Sequence, residues 1–148
     1  MEKSSRHSKI TGDFGEALIL YWLSKRGFEC ARVDHTGIDL IARRPGSKEI
    51  LGISVKSRSR YEGTETDAIK LGKRDDTKIE KACQAFGCVP YVAFVMDQGK
   101  SVRGFLVPLN HARKLAPGGS WPMTEQKVLR YKRDRQVESF ELESRDGW

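Results

Sequence analysis

Apolar positions recur at helical spacing through Phe14, Ala17, Leu18 and Tyr21, and the run closes on Lys25-Arg26-Gly27, a basic last turn followed by a residue suited to a helix C-cap. With Thr11-Gly12-Asp13 ahead of it, this pattern predicts a helix over residues 13 to 26. Phe28 to Val33 then reads as a strand and Thr36-Gly37 as a turn. Ile38 to Ala42 reads as a second strand, in which Asp39 stands among apolar neighbours. Pro45-Gly46-Ser47 turns the chain into a third strand, Ile50 to Lys56. Its period-two alternation puts Leu51, Ile53 and Val55 on one face and Gly52, Ser54 and Lys56 on the other.

A polar segment with Arg58, Arg60, Glu62, Glu65 and Lys70 follows, too long for a hairpin turn, and is a candidate substrate loop. Asp75 or Asp76 can cap a second helix, whose apolar face is Ile79, Ala82, Cys83 and Phe86 and which Gly87 ends. Tyr91 to Met96 and Phe105 to Leu109 read as strands joined by the turn Asp97-Gln98-Gly99-Lys100. A short helical pattern around His111 to Leu115 precedes the breaker Pro117-Gly118-Gly119, after which Val128 to Lys132 and Val137 to Glu143 read as weaker strands.

A chain of 148 residues can bury one hydrophobic core without disulfides or structural metal. Its 27 basic against 20 acidic residues, net +7, favour an anionic partner such as nucleic acid. Cys30, Cys83 and Cys88 form no C-x-x-C pair, which indicates neither a disulfide framework nor a zinc site and suits a reduced, cytoplasmic setting. No stretch has the apolar length of a signal segment or membrane span, so no membrane partner is expected.

An Asp inside an apolar strand is costly unless a cation or hydrogen-bond donors compensate it. Lys56, on the neighbouring strand, is a candidate partner for Asp39 if the two strands pair in one sheet. Taken alone, the two residues also fit a structural ion pair. Glu16 adds a third group, because Ile19, Leu20 and Leu23 place this carboxylate beside an apolar stripe of the first helix.

Gly12-Asp13-Phe14-Gly15-Glu16, Gly37-Ile38-Asp39-Leu40-Ile41-Ala42 and Ile53-Ser54-Val55-Lys56, in that order, resemble the PD-(D/E)XK nuclease superfamily. Leu71-Gly72-Lys73-Arg74-Asp75 and the helix ending Phe86-Gly87-Cys88-Val89-Pro90 resemble the corresponding region of archaeal-type Holliday junction resolvases. The resemblance covers roughly residues 10 to 115. It implies a single α/β domain with a restriction-endonuclease-like mixed sheet flanked by helices. Residues 1–10 are then a flexible basic arm, 11–116 a nuclease-like core, and 117–148 a β extension packed on the same domain. It also implies a metal-dependent DNA endonuclease for branched DNA, acting as a homodimer at the nucleoid with Mg²⁺ or Mn²⁺. Asp39 and Glu16 would hold the metal, Lys56 would face the attacking water or the scissile phosphate, and Arg32 would touch the DNA backbone.

Ser54 departs from that pattern, because such enzymes place an acid two residues before the lysine. A hydroxyl there is a poorer metal ligand, so Ser54 is carried as a catalytic and metal position with a weakened donor. Glu49 is a poor replacement, roughly 16 Å away along an extended strand and of opposite parity. Asp76 or Glu80 on the second helix is a candidate for a migrated carboxylate. Arg58, Arg60, Lys70, Lys73 and Arg74 offer donors for phosphate oxygens. His35, in the turn before Asp39, is the histidine to test, and Trp121 and Trp148 are candidates for base stacking. The alternative to the enzyme is a catalytically weakened nucleic-acid-binding or assembly module of the same fold.

Overall fold

The structure is a computed structural model and describes residues 2–61, 63, 64, 66 and 68–147. Glu62 and Glu65 of the polar segment, and Trp148, lie outside the described residues. Helix α1 (His7–Lys25) starts well before the expected Asp13. Thr11, read as part of a helix start, instead folds its hydroxyl back onto the His7 carbonyl at 2.7 Å. Of the two apolar stripes read on this helix, the one through Ile19 and Leu23 faces inward and the one through Phe14 and Tyr21 does not. Gly15, Ile19 and Leu23 are buried, whereas Phe14 and Tyr21 are 38% and 61% exposed. Gly15 sets this rotation, since a Cβ there would lie 1.8 Å from the Ser57 hydroxyl oxygen.

Strands β1 (Glu29–His35), β2 (Ile38–Arg43) and β3 (Ile50–Ser59) form an antiparallel meander. The short β4 (Ile69–Lys70) and helix α2 (Lys73–Phe86) lead to β5 (Val89–Asp97), which lies parallel to β3. A parallel neighbour needs such a crossover, and α2 supplies it. The chain continues through β6 (Ser101–Pro108), α3 (Leu109–Leu115), β7 (Ser120–Trp121), α4 (Glu125–Arg133) and β8 (Glu138–Glu143). The result is a mixed six-stranded sheet in the order β1-β2-β3-β5-β6-β8, with β4 and β7 paired separately.

One core joins α1 to the sheet through Ile19, Leu23, Leu40, Leu51, Ile53 and Leu106. The other lies under α2, α3 and α4 and includes Ile79, Cys83, Phe94, Phe105, Trp121 and Tyr131. Trp121 is fully buried, stacked on Phe94 at 4.5 Å and on Tyr131 at 4.1 Å between ring centroids. It is therefore part of the core and no base-stacking surface. Val128 and its neighbours, expected as a strand, form α4 instead. Thr124 caps that helix by accepting the Lys127 N–H at 3.3 Å, and Val128 and Tyr131 bury one helical face. Among the described residues no helix is long and apolar enough to cross a membrane.

One close approach orients α2 over the sheet. Gly37, in the turn between β1 and β2, has φ +105°, and a Cβ there would lie 2.3 Å from the Lys78 carbonyl oxygen. Gly46 also has positive φ, +72°, but a Cβ there meets nothing within 4 Å. Gly46→Ala is expected to cost only the backbone strain, about 1–2 kcal/mol. Gly37→Ala adds a clash with backbone, a further 1–3 kcal/mol or so. Urea denaturation of the two variants checks this; equal losses would show that the turn does not hold α2.

Candidate active site

The β2–β3 ladder runs from the Arg43↔Ile50 pair to Leu40↔Ile53. One residue beyond the last pair, the chain direction sets Asp39 beside Ser54, where the two strands begin to part. There the Asp39 side chain takes over from the backbone: its Oδ2 accepts the Val55 N–H at 2.7 Å. The partner that a carboxylate among apolar neighbours requires is thus first a backbone amide, with Lys56 one residue further along. Gly52, Ser54 and Lys56 face α2, since Gly52 lies against Cys83. Val55 and Ser57 face α1 at Gly15. The alternation expected of this strand holds, and β3 continues past Lys56 to Ser59.

Asp39, Ser54 and Lys56 line one cavity of about 240 Å³, closed by Thr36 and Gly37 of the preceding turn and by Asp75 and Lys78 of α2. Ser54 is only 4% exposed, and its hydroxyl makes no hydrogen bond to another described residue. Lys56 Nζ lies 3.2 Å from Asp75 Oδ1. The other oxygen of Asp75 accepts the Gly72 N–H at 3.0 Å, closing the first turn of α2. Burial pushes the Asp75 carboxyl up, but the Gly72 N–H and the Lys56 ammonium outweigh it and hold the group below its ordinary value.

Glu16 reaches the same charges from α1. Its carboxyl is raised above the ordinary value by burial and then by the charge of Asp39, with Arg32 opposing the shift. Arg32, exposed on β1, also approaches the Asp13 carbonyl at 3.4 Å. Glu16, Asp39 and Arg32 are therefore electrostatic neighbours. Lys73 and Arg74 are exposed in the first turn of α2, and Lys70 is exposed on β4. Arg58 lines a separate hollow of about 470 Å³ with Lys3, His7 and Ser59. Arg60 approaches the Met123 carbonyl at 3.4 Å.

Several candidates lie elsewhere. Asp76 and Glu80, the carboxylates proposed to have migrated, both bind Arg113 of α3 at 2.8 Å. The turn of α2 that carries them faces α3, while the preceding residue, Asp75, faces the cavity. Glu49 is exposed ahead of β3. His35 stacks edge-on against Phe86 at 5.0 Å and lines an apolar hollow instead of the cavity. Asp75 and Lys78 are the charged cavity residues that the sequence did not assign to the site. The available signal was Asp75 within the Gly72-Lys73-Arg74-Asp75 stretch.

Among the described residues, no three His, Cys, Asp or Glu side chains gather closely enough to hold a metal ion as they stand. The donors that do line the cavity, two carboxylates and a buried hydroxyl, are hard oxygen ligands. They fit a small divalent cation of the Mg²⁺ type, which takes one or two carboxylates and keeps several waters.

The raised Glu16 carboxyl carries a signed consequence. The folded chain binds this proton more tightly than the unfolded chain, so stability is lost as pH rises from the ordinary value of 4.5 through the folded pKa. Without added metal, Glu16→Gln is expected to be more stable than wild type at pH 7, by about 0.5 kcal/mol or less. The gain disappears as the pH falls below the carboxylate range. Melting curves across that range would refute the assignment if the variant were less stable at neutral pH.

No protein-family model and no curated protein matches the chain. Among solved structures, a Holliday junction resolvase from the archaeal hyperthermophile Archaeoglobus fulgidus superposes with a TM-score of 0.52 at 19% identity, over 77% of this chain and 91% of that one. A bacterial homing endonuclease gives a TM-score of 0.49 at 16% identity, over 86% and 82%. With its mixed six-stranded sheet and flanking helices, the chain has the restriction-endonuclease-like nuclease fold.

Proposed function

We propose that the chain is a divalent-metal-dependent DNA endonuclease acting on branched DNA, with Asp39, Glu16 and Lys56 as its catalytic residues and Ser54 as a weakened donor. The observation that carries this reading is the shared cavity of Asp39, Ser54 and Lys56 at the parting end of β2 and β3 on a nuclease fold. Mg²⁺ or Mn²⁺, when bound, polarises the scissile phosphate and lowers the pKa of a water. Asp39 uses one oxygen for the Val55 amide and has the other available for the cation. Lys56 stabilises charge as the pentacovalent transition state forms. Glu16, whose carboxyl feels the charge of Asp39 from α1, is the second carboxylate offered to the cation.

Arg32, Lys70, Lys73 and Arg74 supply phosphate contacts, and Arg58 on β3 and Arg60 just beyond it add to them. These contacts carry no sequence preference. A symmetric four-way junction suits two equivalent sites, so the working form is a homodimer. The chain would act at the nucleoid.

The second reading, a DNA-binding or assembly module with little cleavage, is favoured by Ser54 and by the engagement of Lys56 with Asp75. Four-way junction, duplex and single-stranded DNA, each with Mg²⁺ or Mn²⁺, separate the two. For the enzyme, junction cleavage is expected to fall about 10²–10³-fold in Lys56→Ala and to be lost in Asp39→Asn. Binding without cleavage by wild type, with activity appearing only in Ser54→Glu, supports the module. Absence of DNA binding at moderate salt refutes both.

A further inference from the structure

The cavity holds more than the pattern around Ser54 predicts. Its acidic side chains are Asp39 on β2 and Asp75 on α2, and Asp75 lies on the α2 face towards which Ser54 and Lys56 point. We propose that Asp75 supplies the carboxylate that Ser54 does not, and that the Lys56–Asp75 ion pair is the resting form of the site, broken when a divalent cation takes the Asp75 oxygen. The proposal rests on the metal-site reading above and names the ligand set that reading lacks.

Three features of the structure converge on it. Asp75 is built into place: Oδ2 is held by the Gly72 N–H at 3.0 Å, which fixes the side chain and leaves Oδ1 for the cavity, 3.2 Å from Lys56 Nζ. The helix that carries it packs on the sheet through buried Ile79, Ala82 and Cys83 and runs close against Gly37, contacts that do not involve Lys56. Ser54 is 96% buried by its 4% exposure, lines the same cavity, and has no hydrogen-bond partner among the described residues. Its hydroxyl is therefore open to whatever fills the cavity, including a water carried by a cation between Asp39 and Asp75.

The charges support the same exchange. Asp39 and Asp75 face Lys56 and Lys78 around the cavity, so the site is electrically balanced without a cation. In the resting form the Lys56 ammonium occupies the position of positive charge beside Asp75. A cation that binds Asp75 competes with that ammonium for the same oxygen and releases it. The freed ammonium remains on the cavity-facing side of β3, where a phosphate brings new negative charge. Cation binding thus makes the lysine available to substrate, and a site without metal holds its own lysine back.

Competition for one oxygen predicts effects of opposite sign, which a purely structural Asp75 does not produce. The test is Mn²⁺ binding to the full chain, by titration calorimetry and by the electron paramagnetic resonance of free Mn²⁺, with no DNA present. Asp75→Asn keeps an oxygen that can accept the Gly72 N–H, so the helix cap survives, and thermal melting verifies the fold. Its Mn²⁺ affinity is expected to fall about tenfold or more. Lys56→Gln is expected to bind Mn²⁺ more tightly than wild type. Returning a carboxylate to the strand in the double variant Ser54→Asp, Asp75→Asn is expected to recover affinity.

Unchanged Mn²⁺ affinity in folded Asp75→Asn, with binding still lost in Asp39→Asn, leaves the metal site standing and overturns the role of Asp75. Lys56→Gln binding no tighter than wild type overturns the competition. No Mn²⁺ binding by folded wild type removes the metal-site reading and this inference together.

Discussion

The bond from the Val55 amide to Asp39 Oδ2, 2.7 Å long, settles a conflict where β2 and β3 part. Beyond the Leu40↔Ile53 pair the ladder with β2 no longer serves β3, and an amide on that side with no acceptor would be costly. A carboxylate on β2 meets that need and stays partly open to the cavity. The same residue therefore ends the ladder and brings negative charge to a point between the sheet and α2. What surrounds it follows from that charge: Lys56 and Lys78 nearby, Asp75 held by an amide and an ammonium, and Glu16 raised by burial and by Asp39 itself.

Much of this was legible in the sequence, for a physical reason. Strand alternation has a period of two, so the parity of Ser54 and Lys56 follows once the strand is recognised, and neighbouring strands bring Asp39 to the same face. Helices are less determinate. Asp75 and Asp76 are adjacent acids on one helix, about 100° apart around its axis. Which of them meets the cavity depends on how α2 docks, through its buried Ile79, Ala82 and Cys83 and the close approach of Gly37 to the Lys78 carbonyl. The start of α1 was misread because Thr11-Gly12-Asp13 has the composition of a cap, whereas Thr11 bonds backwards along the helix. In α4 only Val128 and Tyr131 are buried, too few apolar positions to separate helix from strand by pattern.

The positive charge is unevenly committed. Arg103 binds Glu125 and Glu141, Arg113 binds Asp76 and Glu80, and Arg26 and Arg44 bind Glu138. These pairs tie the C-terminal strand and α3 to the rest of the molecule. Lys70, Lys73 and Arg74, by contrast, are exposed on β4 and at the start of α2. The net charge of +7 is thus a composite. Part of the basic complement secures the fold, and a smaller part on the α2 side of the sheet offers charge to an anionic surface.

The ring stack of Phe94, Trp121 and Tyr131 bears on how such a chain can be reshaped by recombination. Phe94 belongs to the central strand β5, while Trp121 and Tyr131 come from beyond the Pro117-Gly118-Gly119 break. A crossover at that break has the look of a clean module boundary in sequence. It would nonetheless strip two aromatic walls from the interior beneath the helix that carries Asp75. The segment after the break therefore has to be inherited together with the sheet, and exchanging it for a foreign tail would require refilling the interior as well as joining the chain.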